Sequence, residues 1–304
     1  MRSMEIKEYD LQRTGAMPYG MTSGKNGEVW FTEHKGNRIS RIHRDGTIDS
    51  FPIPTAQAGV MCIAEVAGEV WFTENHANAI GRMNTVGKYT RYELPVPQAA
   101  PYGITEGPGG TIWFTLMNVG QIGRLKADGE MQLFDLPDPK SYPSFITIGP
   151  DGNMWFSENR KNTIGCMNTT GEIVQRFRIP TESSGPVGIT SGPDNAIWFV
   201  EIVGNKIGKI TISGSITEYE LPTANAKPHA IAAGHHDDLW FTEWSNNAIG
   251  RITTQGIITE YPIPTANAEP HGIAVSSDGD VWFAEECDQI GRLILLNEAS
   301  IDKA

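Results

Sequence analysis

Seven tryptophans, each followed by phenylalanine, recur at Trp30, Trp71, Trp113, Trp155, Trp198, Trp240 and Trp282, spaced 41, 42, 42, 43, 42 and 42 residues apart. So regular a period dictates the architecture, because a single unit of this size cannot bury its apolar face and must stack on its neighbours. The sixth copy is easily parsed. Pro228-His229-Ala230-Ile231 leads through a polar turn to Leu239-Trp240-Phe241-Thr242-Glu243, then to Ala248-Ile249-Gly250-Arg251-Ile252 and, after Gly256, to Ile258-Thr259-Glu260-Tyr261. Each run is β-branched or aromatic and bounded by Gly, Asn, Asp or Pro, which is strand-and-turn chemistry. Four strands, a to d, fit in one period, and none has the spacing of an amphipathic helix. Such a period is the mark of a β-propeller blade. The expected fold is all-β: a seven-bladed β-propeller of four-stranded antiparallel blades.

The seventh copy ends at Ile290-Gly291-Arg292-Leu293 without a strand d, while Ile6-Lys7-Glu8-Tyr9-Asp10-Leu11 precedes the first copy and has the missing pattern. The N-terminal strand is therefore expected to complete blade seven and close the ring, removing an exposed edge. A length of 304 residues alone suggests two domains. Seven blades and a closing strand instead predict one domain over residues 1–304. A closed ring has no edge that demands a partner, so a monomer is expected.

An excess of 36 acidic over 24 basic side chains, with a formal net charge of -12, argues against nucleic-acid or anionic-membrane partners. No apolar run is long enough to span a bilayer, and Met1–Lys7 lacks the apolar stretch of a secretory signal. Cys62, Cys166 and Cys287 are odd in number, scattered and free of any Cys-x-x-Cys spacing, which predicts neither a disulfide framework nor a thiolate zinc site. A reducing cytoplasm is the expected setting. There is no Gly-x-Ser-x-Gly, phosphate-binding loop or His-Glu-x-x-His motif.

What all copies share is scaffold, and what one copy does differently is a candidate for function. Antiparallel pairing puts the start of strand a and the end of strand b at one mouth of the ring. The residue after the proline (Val60 in the second copy) that opens strand a runs Tyr19, Met61, Tyr102, Ser144, Val187, His229, His271. Two histidines thus hold equivalent places in adjacent blades. They are either ordinary channel-mouth side chains or a proton-transfer or metal-ligand pair. The residue before that proline is a carboxylate only in blade seven, giving Glu269-Pro270-His271. A glutamate three residues after Trp recurs in six copies and is structural by default. Blade seven adds Glu286 after Glu285 and shortens its Trp-to-Ile spacing from 9 to 8 residues. That deletion is expected to reshape the connection where Glu269 and His271 lie. Carboxylates beside a histidine make an anionic, oxygen-rich pocket suited to a hard cation such as Mg²⁺. Trp244, at the end of strand b in blade six, could form an aromatic wall with Tyr19 and Tyr102 for a ring-bearing ligand, or simply pack. His235-His236-Asp237-Asp238 reads as a solvated a–b turn on the opposite face.

The Trp-Phe blades, Lys-Pro-His-Ala of blade six, Glu-Pro-His-Gly of blade seven and Trp-Phe-Ala-Glu-Glu-Cys together resemble the virginiamycin B lyase (streptogramin B lyase) family, from about residue 5 to residue 294. The resemblance implies a Mg²⁺-dependent carbon–oxygen lyase that confers antibiotic resistance by linearising type B streptogramins, cyclic depsipeptides, through eliminative cleavage of the ester. It implies His271 as the general base, Glu269 and Glu286 as the Mg²⁺ ligands, and His229 as a substrate-positioning residue, while the aromatic reading of the mouth gives Tyr19 and Trp244 as further candidate substrate contacts. Register counted from Cys287 favours Glu286 over Glu285 as the ligand. A metal-dependent lactonase or esterase and a non-catalytic ligand-binding propeller are the rival readings.

Overall fold

Each Trp-Phe copy forms the second strand of a four-stranded antiparallel sheet in the computed structural model, which describes residues 4–295. The ends of the expected 1–304 unit, residues 1–3 and 296–304, lie outside the described residues. There are seven such sheets, and in six of them the strands follow in chain order. Blade six has strands Pro228–Ala233, Asp238–Glu243, Ala248–Thr253 and Ile258–Pro262. Blade seven combines Pro270–Val275, Val281–Glu285 and Gln289–Leu295 with the N-terminal strand Met4–Asp10, which pairs with Gln289–Leu295 in register from Met4↔Leu295 to Asp10↔Gln289. The expected closure is borne out. Among the described residues no helix is long and apolar enough to cross a membrane.

The repeated Trp-Phe-Thr-Glu run explains the ring residue by residue. Alternate residues of a strand face opposite sides, so Trp and Thr look towards the next blade while Phe and Glu look towards the previous one. The apolar clusters follow this rule around the whole circle: Trp30 packs with Phe72, Trp71 with Phe114, Trp113 with Phe156, Trp155 with Phe199, Trp198 with Phe241, Trp240 with Phe283, and Trp282 with Phe31. Each of the seven repeat tryptophans also packs against a strand-d aromatic of its own blade at 5.5 to 5.9 Å, from Trp30 on Phe51 to Trp282 on Tyr9. A strand-c cation lies over most of them, for example Arg251 over Trp240 and Arg292 over Trp282.

The closing glutamate of the run is fully buried in all six blades that have it. In blades two and four a strand-d arginine, opposite the strand-c glycine, reaches across to it: Arg91 Nε is 3.3 Å from Glu74, and Arg176 binds both oxygens of Glu158 at 2.7 and 3.0 Å. In blade one Arg13 does the same for Glu33. In blades five, six and seven the residue opposite that glycine is itself a glutamate, Glu218, Glu260 and Glu8. Both side-chain oxygens of Glu201, and one each of Glu243 and Glu285, have no hydrogen-bond partner among the described residues. Burial first, and then the facing carboxylate, pushes Glu201 and Glu243 up to about 7 and Glu285 up to about 8. Lys206 lies 3.5 Å from Glu218 in blade five, whereas blade six has Ala248 at that place.

These carboxyls are stability groups. An unperturbed glutamate titrates at 4.5, and Glu243 does so at about 7, so between those values the folded chain holds a proton that the unfolded chain has lost. Its contribution is therefore full below pH 4.5, falls as pH rises towards 7, and is flat above. The buried histidines His34, His229 and His271 are held below their ordinary value and act in the opposite sense over part of this range. A variant comparison isolates the carboxyl. Glu243→Gln is expected to match the parent at about pH 5 and to exceed it at about pH 8 in urea denaturation. Glu260→Arg, which rebuilds the pairing of blades two and four, is expected to gain at about pH 8 as well.

Candidate active site

The mouth of the ring is built by three repeated devices. The residue before strand a, which opens with proline in six blades and with Val60 in blade two, is left-handed in every blade, with φ between 50° and 64° from Glu269 and Met17 round to Gly59. In six blades its carbonyl accepts the amide that follows strand b, as in Trp244 N to Lys227 O at 3.2 Å and His34 N to Met17 O at 2.9 Å. The hydroxyl of Trp-Phe-Thr then links adjacent inner strands. Thr242 Oγ1 accepts from Ala230 N at 3.1 Å and donates to the carbonyl of His271 in the next blade at 2.8 Å. Thr32, Thr73, Thr115 and Ser157 make the same bridge to Met61, Tyr102, Ser144 and Val187. In five blades the position that varies is thus held by its backbone and its side chain is free to differ, whereas Val200 and Ala284 replace the hydroxyl ahead of His229 and Tyr19.

Blade seven departs from this pattern as its deletion leads one to expect. Its b–c connection is three residues, Glu286-Cys287-Asp288, against the four of Trp244–Asn247. Asp288 takes over the left-handed place of Asn247 and accepts the amides of Gly15 and Met17 at 2.7 and 2.9 Å. Among the described residues no amide from this connection reaches the Glu269 carbonyl. His271 Nδ1 takes it instead, at 3.2 Å, and lies 3.1 Å from Glu286 Oε1. Both neighbours are acceptors, so Nδ1 carries the hydrogen and the lone pair is left on Nε2. Burial holds His271 down to about 4, against the pull of the Glu269 carbonyl and carboxylate. Burial and the adjacent Glu269 carboxylate push Glu286 up to about 7. Glu285, by contrast, points into the blade, fully buried, with Cys287 Sγ at 3.6 Å.

The other candidates divide into an axial floor and a rim. Tyr19, Tyr102 and His229 are buried and meet at the channel axis, with the two hydroxyls 2.6 Å apart and each 3.4 Å from His229 Nε2. The His271 ring lies 4.5 Å from Tyr19 and 4.6 Å from His229. The buried tyrosines therefore form a floor and not a wall, and Tyr19 and His229 line a channel cavity of about 270 Å³. Trp244 stands apart on the rim, edge-on to His271 at 6.3 Å, with Lys227 Nζ 5.0 Å from the centre of its ring. It separates a groove of about 320 Å³ bordered by Ile202, Val203 and Lys227 from one of about 190 Å³ that ends at Glu269. His235, His236 and Asp237 are exposed in the a–b turn, away from this mouth. Sequence reasoning passed over His34, whose ring lies 6.1 Å from Tyr19. Its signal was available: it occupies in blade one the place that Trp244 and Glu286 hold in blades six and seven.

Comparison with known proteins gives matches over nearly the whole chain. The model of the virginiamycin B lyase family matches residues 4–293. The crystal structure of virginiamycin B lyase from Staphylococcus aureus superposes with a TM-score of 0.93 at 54% identity, covering 97% of this chain and 100% of that one. A catalytically inactive histidine-to-alanine variant of that protein with quinupristin superposes equally well, with a TM-score of 0.93 at 53% identity over 97% and 100% of the two chains. A curated virginiamycin B lyase of the same species matches over a shorter stretch, 54% identical over 51 residues, 17% of each chain.

The mouth tolerates little added bulk. A Cβ on Gly272 would lie 2.2 Å from the Tyr19 carbonyl and 2.9 Å from the Met21 amide. Gly272→Ala is expected to cost about 1–3 kcal/mol in urea denaturation, with the Tyr19 and His271 rings forced apart in its crystal structure.

Proposed function

The chain belongs to the virginiamycin B lyase family, and from that premise we propose that it opens type B streptogramins, the cyclic depsipeptides to which quinupristin belongs, by eliminative cleavage of the ring ester. The observation that carries this reading is an imidazole kept unprotonated at neutral pH and turned by Glu286 so that Nε2 is its free nitrogen. In the proposed step Nε2 of His271 takes the proton α to the carbonyl of the threonyl unit. The electrons of that C–H bond form the new Cα=Cβ bond, the Cβ–O bond breaks, and the acid side of the ester leaves as a carboxylate. No water is consumed. Glu286, accepting from Nδ1–H, orients the ring and offsets the positive charge it gains. His229 and Tyr19 lie under the reacting atoms, and Trp244 with the Ile202–Val203 groove offers an apolar rim for a bulky macrocycle.

Glu269 and Glu286 suit Mg²⁺. Two carboxylates pressed together, one with a strongly raised proton affinity, form a donor pair that a cation would relieve. Among the described residues no group of three or more His, Cys, Asp or Glu is gathered to hold an ion, which accords with an ion that keeps several waters. When bound, Mg²⁺ would draw charge from the ester and carbonyl oxygens and so acidify the α-proton. The same reading makes the protein a cytoplasmic monomer, supported by three unpaired thiols and by a ring that closes on itself.

Incubation with quinupristin is expected to give a product of unchanged mass with a new alkene absorbance. A gain of one water would identify a hydrolase instead. Thorough chelation should abolish turnover, and Mg²⁺ should restore it. His271→Ala should lower kcat by about 10²–10⁴-fold, and an undiminished rate would exclude it as the base. Glu286 takes up a proton below about 7, so Mg²⁺ affinity by calorimetry should weaken as pH falls through that value. At limiting Mg²⁺ the rate should fall with it and recover with excess ion, because the base stays unprotonated down to about 4.

A further inference from the structure

Tyr102 lies in blade three, far around the ring from blade seven, yet its hydroxyl ends at the axis beside the reacting residues. It is buried at 7% exposure, its ring edge-on to Phe145 at 5.2 Å, and Phe145 in turn stands edge-on to His229 at 6.0 Å. The 2.6 Å contact between the Tyr19 and Tyr102 hydroxyls uses one hydroxyl proton, whichever group donates. The second hydroxyl proton has no protein acceptor nearer than His229 Nε2 at 3.4 Å, too long for a strong bond. If Nε2 itself carries a hydrogen, that second proton has no acceptor in the cluster at all. The floor therefore holds one hydroxyl donor that is at most weakly engaged, by Nε2 at 3.4 Å. Burial keeps both tyrosines protonated and His229 neutral, so the cluster remains a set of donors without net charge.

Of the two hydroxyls, that of Tyr19 belongs to the ring nearer His271. On the lyase reading of this mouth, we propose that Tyr102 is a positioning residue: its hydroxyl donates to Tyr19 and turns the Tyr19 proton outward, towards a carbonyl oxygen of the bound depsipeptide. The donor is fixed before substrate arrives, so charge that develops on that oxygen meets a hydrogen bond without reorganisation. Tyr102 never touches substrate in this arrangement, and its effect passes wholly through Tyr19.

A double-mutant cycle tests this. Tyr102→Phe keeps the ring against Phe145 and removes only the hydroxyl. It is expected to lower kcat on quinupristin by about tenfold with KM little changed. In a Tyr19→Phe background the same substitution is expected to have no further effect, because the group it acts through is gone. A purely structural role would lower the rate equally in both backgrounds. Additive losses, or a Tyr102→Phe enzyme with parental kcat, would overturn the proposal. The imidazole ¹⁵N shifts of His229 supply a second readout, since loss of the Tyr102 hydroxyl should move the Nε2 resonance, and an unmoved resonance counts against the cluster. A parent chain that leaves quinupristin intact would overturn the lyase reading, whereas a parent that opens it and an additive cycle would overturn only the role of Tyr102.

Discussion

Contact between the tryptophan of one blade and the phenylalanine of the next is the interaction on which the rest of the structure depends. Its two members are consecutive in sequence, so they leave the strand on opposite faces, and each blade offers an indole to one neighbour and a phenyl ring to the other. Such a unit is complementary to copies of itself but saturated only when the series returns to its start. Trp282 against Phe31 is that return. The seven indoles are all but inaccessible, and removal of a large buried aromatic costs about 3–5 kcal/mol. Loss of one such contact therefore consumes much of the margin by which a folded protein is stable.

With the blades locked in this way, function needs only a few departures. The Thr hydroxyl bridge fixes the backbone of the mouth position without reading its side chain. Methionine in blade two, tyrosine in three, serine in four, valine in five and histidine in seven are all accommodated by this bridge, whereas His229 and Tyr19 follow Val200 and Ala284 and lack it. The decisive change is smaller than a substitution. Loss of one residue after strand b of blade seven leaves the Glu269 carbonyl to an imidazole and sets Glu286 beside it.

Most of the fold was legible because its signals repeat: period, strand pattern and the displaced closing strand each occur in the sequence as such. The closing strand begins at Met4 and ends at Asp10, slightly before the sequence pattern suggests. The candidate site was legible as a break in the repeat of blade seven, at Glu269, His271 and Glu286, which the fold brings together. It was less so where side chains from distant blades converge. Tyr19 and Tyr102 were visible as aromatic departures, but an outward wall and an axial floor differ only in side-chain direction, which linear spacing does not encode. The unmatched carboxyls of blades five to seven were equally hidden, because Glu243 obeys the repeat and only its partner Glu260 does not.

The candidate base and both candidate metal carboxylates stand on the one blade assembled from the two ends of the chain. Its outer strand precedes blade one in sequence, and its inner three follow blade six. Asp288 binds the amides of Gly15 and Met17 across that seam, next to Glu286. A growing chain with six blades complete has the aromatic floor and the rim tryptophan but no base. Closing the circle and gathering the candidate base with its carboxylates are thus one event, because the same blade does both.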